Sequence, residues 1–323
     1  FGLTSTFVFS QKTLDSLLTV AEKFTNHTQY IAYLKEKAAD TTYSAYSLEL
    51  LIEAKTYAAG YHLPIDVDLY ESLAKKYTQN FLHSYAIPLY DTLLNYHTKK
   101  KDTVQIINNL IDLANCYNII NQPEKALKYF EQGEKLLVGS SNKKLQFTLY
   151  YNFSHFFNTK KINVSEKYIT YCFSLAKELK SDSLYLESLI EMGMLCVNNQ
   201  QLDSAIDYYK QAQTLIEKLK YTQKLDQFYN SLANYYLSKN NLQKAIEFYL
   251  KSYSINLQNK NYIGLYVTSY NLFNAYTSAK DKVNAEKYLF LSLDYANLTG
   301  IEQYKANTYY QLQLHYAEKN NYK

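Results

Sequence analysis

The sequence predicts an all-α fold, an α-solenoid of helical hairpins stacked with a period of about 40 residues. Three observations predict it. Six small residues, Ala86, Ala126, Ser165, Ala205, Ala245 and Ala285, follow one another at intervals of 40, 39, 40, 40 and 40. Around each, apolar side chains recur at fixed offsets stepping by three, one and three, which places them on one stripe of a helix. The 323 residues contain only 7 Gly and 3 Pro, so long helices run uninterrupted, and 47% hydrophobic against 20% charged residues excludes a disordered chain.

In chain order, Phe1 to Ser10 are apolar and uncharged. They resemble the end of a secretory signal peptide or a trimmed membrane anchor, with an apolar cap on the array as the competing reading. Residues 11–323 are then one solenoid. An exported or periplasmic location is expected, and a cytoplasmic one is the alternative. Nothing later approaches the roughly 18 continuous apolar residues of a membrane span.

A weak hairpin centres on Ser47, with Leu34 and Ala38 before it and Leu51 and Ala54 after it. Pro64, with Asp66 and Asp68, marks the break to the unit of Tyr70, Leu73, Ala74 and Tyr77, then Ala86 and Tyr90. Lys99-Lys100-Lys101 is read as a solvated loop. Asp102-Thr103-Val104-Gln105 reads as a capping box for the helix of Leu110, Leu113, Ala114 and Tyr117. Pro123 opens its partner, which carries Ala126, Phe130 and Gly133.

The unit around Ser165 is degraded, with Asn152 and Phe153 where Leu and a small residue belong. Its register holds, because Ser165-Glu166-Lys167-Tyr168 recurs as Ala285-Glu286-Lys287-Tyr288. Leu189, Met192, Gly193 and Cys196 precede Ala205, with Tyr209 and Ala212 after it. Tyr229, Leu232, Ala233 and Tyr236 precede Ala245, with Tyr249 and Ser252 after it, and Ser238-Lys239-Asn240-Asn241 is the turn between. Finally Tyr309, Leu312 and Tyr316 repeat Ser269, Leu272 and Tyr276, and Asn320-Asn321-Tyr322 resembles a turn. The next anchor would fall at 325, so the array is expected to stop inside a repeat of a longer protein.

This grammar resembles the tetratricopeptide repeat family, over about residues 28–323. A small side chain on each helix admits its partner's backbone, and Tyr or Phe fills the groove between hairpins. The usual unit is 34 residues, so each helix should be longer by nearly a turn. The long-repeat type resembles the input regions of bacterial exported or membrane-bound signalling proteins, sensor histidine kinases and helix-turn-helix regulators. The resemblance implies a peptide- or protein-binding module in signal transduction; a free-standing scaffold or adaptor is the alternative.

Positions eighteen, fourteen and eleven before each anchor face away from the packing stripe. By the resemblance they line a concave groove. The candidate ligand residues are Asn108, Asp112, Asn115, Tyr151, Glu191, Asn230, Asn234, Asn271 and Asn274. Asparagine offers both donors and an acceptor, so a row of them can pair with the amides of an extended peptide or protein segment. Self-association and a membrane tether are further interactions this reading allows.

Other chemistry is not expected. No glycine pair has phosphate-loop spacing, and the six His never pair at metal-binding intervals. Cys116, Cys172 and Cys196 form no Cys-x-x-Cys pair and read as buried packing residues. All 34 basic residues are Lys and the formal charge is +4, so direct nucleic-acid contact is not expected. No catalytic residue, cofactor or metal is assigned.

Overall fold

Helix follows helix through short turns in the computed structural model, which describes residues 13–157 and 162–321. Among the described residues no strand occurs. The chain divides after Cys116 into two compact units. The first contains α1 (13–21), α2 (His27–Ala39), a 3-10 turn (Thr41–Tyr46), α3 (Ser47–Gly60), α4 (Val67–Gln79), α5 (His83–Lys100) and most of α6 (Thr103–Ile119). The second contains α7 (Pro123–Leu137), α8 (Lys143–Phe157), α9 (Ile162–Glu178), α10 (Asp182–Asn198) and α11 (Leu202–Leu219), followed by α12 (Leu225–Ser238), α13 (Leu242–Gln258), α14 (Tyr262–Ser278), α15 (Lys282–Thr299) and α16 (Glu302–Asn321). The signal-peptide expectation for residues 1–10 lies outside the described residues.

Each boundary is written locally. Asn26, Asp66, Ser181, Asn241, Asn261 and Asp281 all accept a backbone N–H at a helix start, satisfying donors that have no partner within the helix. Asp102 Oδ1 likewise accepts from the Gln105 N–H at 3.1 Å, and Pro123 takes the first helical position of α7. Two turn expectations are corrected. Lys99 and Lys100 belong to the last turn of α5 and only Lys101 leaves it, while α16 continues through Asn321, where a turn was expected.

Helix ends follow their own period. Lys101, Asn121, Lys180, Gln200, Lys220, Asn240, Lys260 and Lys280 all have positive φ, between 49 and 60°, and Gly300 has 65°. At Lys280 the turn closes in the usual way, with Lys280 N–H to the Thr277 carbonyl and Asp281 N–H to that of Tyr276, both at 3.0 Å. A side chain at a left-handed position is strained, so Lys280→Gly is expected to raise stability by about 0.5–1 kcal/mol. Urea unfolding followed by circular dichroism checks this, with Lys280→Ala, which keeps the Cβ, expected to leave the midpoint unchanged.

The anchors sit where hairpins close. Ala86, Ala126, Ala205 and Ala245 are wholly buried, and Ser165 and Ala285 nearly so, so the six registers are one structural position. Around them, in the second unit, Leu189, Tyr209, Ala212, Phe228 and Leu232 form one core cluster and Ala245, Tyr249, Leu272, Ala275 and Leu289 the next. The degraded unit is repaired by different means. Ser165 Oγ donates to the Ser154 carbonyl at 3.0 Å, and Phe153, in the small position, stacks on both Phe130 and Tyr168. The weak hairpin holds too, since Leu34, Ala38, Ser47, Leu51 and Ala54 are all buried. All three cysteines are buried thiols, and burial pushes those of Cys116 and Cys172 up to about 12.

Candidate functional site

In the second unit α12 packs on both α10 and α14, while side chains bridge α8 to α10. This sets Tyr151 against Glu191, both fourteen before their anchors, and Asn271, at the same offset, against Asn230, which lies fifteen before Ala245; these residues form the candidate strip. Glu191 of α10 is only 7% exposed, yet it keeps two partners on α8. His155 Nε2 lies 2.9 Å from its Oε1, and the Tyr151 hydroxyl donates to the same oxygen at 3.5 Å. Burial lowers the His155 pKa, but the charge and hydrogen bond of Glu191 more than offset it, so the net shift is upward. Burial, with Glu191 and Glu187 nearby, holds Tyr151 well above its ordinary range as a neutral donor. One turn before Glu191, Glu187 pairs with Lys224 at 2.9 Å. The Lys224 ammonium also lies 5.0 Å over the Tyr151 ring.

Further along, the strip turns from charge to carboxamide. Asn271 Nδ2 of α14 donates to Asn230 Oδ1 of α12 at 3.0 Å, linking successive first helices across 41 residues of sequence. Each amide keeps further hydrogen-bonding capacity beyond that bond. Asn234 is engaged differently, its Oδ1 accepting the hydroxyl of Tyr249 from α13, a ring only 1% exposed. Asn274 is exposed. The stripe is therefore not uniformly open: Phe147 and Ser154, at the same offsets in the degraded unit, are buried, and Phe147 joins the cluster of Ile169, Cys172 and Leu195.

The first unit holds the other candidates on α6. Asn108, Asp112 and Asn115 are half-buried one turn apart. Asn108 Nδ2 donates to Gln105 Oε1 at 3.4 Å. Burial pushes the Asp112 carboxyl up to about 6, with Lys75 opposing and Glu71 adding to the shift. No group of His, Cys, Asp or Glu that could hold a metal occurs among the described residues.

Residues 186–219 and 226–259 match the family model described as tetratricopeptide repeat, which covers the two hairpins α10–α11 and α12–α13. These two hairpins carry tetratricopeptide repeats. Among solved structures, the apo form of the quorum sensor NprR from B. thuringiensis matches with a TM-score of 0.66 at 20% identity, covering 88% of this chain and 81% of that one. Apo RapI matches with a TM-score of 0.67 at 10% identity, covering 83% and 98%. NprR in complex with its cognate peptide NprX matches at 0.61 and 20%, covering 89% and 82%. No curated protein matches the sequence.

These matches correct the expectation that the tetratricopeptide array is exported or periplasmic. The matching structures include a quorum sensor and a Rap protein, and no described helix is long and apolar enough to cross a membrane. The sequence also left two members of the strip unassigned. His155 falls at none of the groove offsets, although it lies one helical turn after Tyr151 on the same face. Lys224 sits in the turn before α12, outside any repeat offset, and only the fold carries it to Glu187.

Proposed function

We propose that this tetratricopeptide array is a peptide-sensing module of a signal-transduction protein. An extended segment lies along α10, α12 and α14 and pairs its backbone amides with the carboxamides of Asn230, Asn271 and Asn274. The observation that carries the reading is the Asn230–Asn271 bond, which fixes two amides on neighbouring first helices while leaving each able to bond again. Neighbouring first helices repeat at a constant step, so a peptide in extended conformation meets a recognition group at each. NprR, which shares the fold, is solved with its cognate peptide NprX. In the first unit, Asn108, Asp112 and Asn115 are assigned to the same kind of surface.

The test uses the protein against a bead-displayed library of short peptides. Asn271→Ala combined with Asn274→Ala is expected to weaken capture of a selected peptide by about tenfold or more, the loss of one to two hydrogen bonds, with the melting temperature little changed. Asn234 is kept intact in this variant, because its replacement would strand the Tyr249 hydroxyl in the core. A library that yields no binder, or a double variant that binds as well as the parent, overturns the proposal.

A further inference from the structure

A pocket of about 360 Å³ opens between α7, α8 and α9 in the second unit, and none of its lining residues belongs to the carboxamide strip. Three tyrosines line it, beside Glu134, Lys167, Thr170 and Ser174. Tyr150 and Tyr168 stack with ring centroids 5.3 Å apart, and Tyr171 stands edge-on to Tyr150 at 5.2 Å and 78°. Tyr171 is 44% exposed, so core packing does not account for it, and its hydroxyl donates to Gln146 Oε1 at 3.4 Å, which steadies the ring.

Two opposite charges share this aromatic box. The Glu134 carboxylate accepts the Tyr168 hydroxyl at 3.2 Å. Lys167 also lines the pocket, its ammonium 5.6 Å from the Tyr168 ring centroid. The perpendicular pair of Tyr150 and Tyr171, beside a carboxylate, suits a quaternary ammonium, which cannot donate a hydrogen bond and is held by ring quadrupoles and charge alone. A bare cation would leave Lys167 opposed; a ligand that also carries an anion would satisfy it. The volume falls in the range of small-molecule sites.

We propose that this pocket binds a small quaternary-ammonium zwitterion of the betaine type, its trimethylammonium against Tyr150, Tyr171 and Glu134 and its carboxylate on Lys167. The site is independent of the peptide strip.

Isothermal titration of the full chain with glycine betaine tests it. Tert-butylacetate has the same shape and carboxylate without the positive charge, and is expected to bind about tenfold more weakly or worse. Tyr171→Leu should weaken betaine binding by a similar factor, and Lys167→Met should weaken betaine while tightening choline, whose bare cation Lys167 opposes. Glu134→Gln keeps an acceptor for Tyr168 and removes only the charge, so it carries the test should Tyr171→Leu fail to fold. Absence of betaine binding at any attainable concentration, equal affinity for tert-butylacetate, or unchanged betaine affinity in these variants overturns the proposal.

Discussion

Gly193→Ala is expected to destabilise the second unit by about 2–3 kcal/mol, the upper part of the range for overpacking a core. Gly193 occupies the small position twelve residues before Ala205, and a Cβ there would lie 2.8 Å from Cδ1 and Cζ of Tyr209. No real Cβ tolerates that distance, and the ring has nowhere to go. Tyr209 is 1% exposed and set edge-to-face against Phe228 and Tyr235, at 6.3 and 6.2 Å. Alanine is otherwise the better helix former by about 1 kcal/mol, so the steric cost must exceed that gain. Gly60→Ala is the control, since nothing lies within 4 Å of its added Cβ. Gly133→Ala should fall between the two, because its nearest neighbour, at 3.1 Å, is the movable end of Leu149. Urea unfolding of the three variants gives the ranking, and a Gly193→Ala midpoint no lower than that of Gly60→Ala would remove close approach as the reason for glycine here.

That ranking explains which parts of the molecule the sequence could announce. Positions of close approach admit only small residues, so the anchors Ala126, Ala205 and Ala245, and Ala114, Gly193 and Ala233 twelve residues before them, recur with the repeat and reveal the hairpins. Helix ends were less legible. The left-handed residues recur about every 20, but most are Lys, Asn or Gln instead of the glycine that marks such a turn. The strip was readable in part. Offsets placed Tyr151, Glu191 and Asn271 on the right helices and came within one residue of Asn230, yet the same offsets placed the buried Phe147, Ser154 and Ser231 there too. What decides between them is the distance between neighbouring helices, which puts Glu191 against His155 and Asn230 against Asn271. A sequence pattern holds the face of a helix; it does not hold the spacing to the next one. The Lys224–Glu187 pair, which joins a turn to a helix, has no periodic signature at all.

Acid is expected to weaken the first unit through His83. This residue opens α5, is buried, and neither ring nitrogen meets a hydrogen-bond partner among the described residues. Burial alone lowers its pKa from 6.5 to about 4. Above pH 6.5 the ring is neutral in both the folded and the unfolded chain, and its environment costs nothing extra in charge. As pH falls through that value the unfolded chain takes up a proton that the folded chain refuses, so stability declines until the folded histidine titrates near pH 4. The full loss is at most about 3.4 kcal/mol, at 1.36 kcal/mol for each unit of pKa difference. Asp112 works in the opposite direction in the same unit. Its folded pKa is raised to about 6, so its ionisation penalises the folded state at neutral pH and acidification relieves it. The raw pH profile therefore mixes two opposed slopes, and a variant has to separate them. His83→Leu removes both the titration and the unpaired nitrogens, so it should raise stability at pH 7 by about 1–2 kcal/mol and widen its advantage over the parent as pH drops from 6.5 towards 4. Denaturant unfolding of both proteins across that window measures the difference directly; an advantage that stays constant or shrinks with acid would assign the loss to some other group.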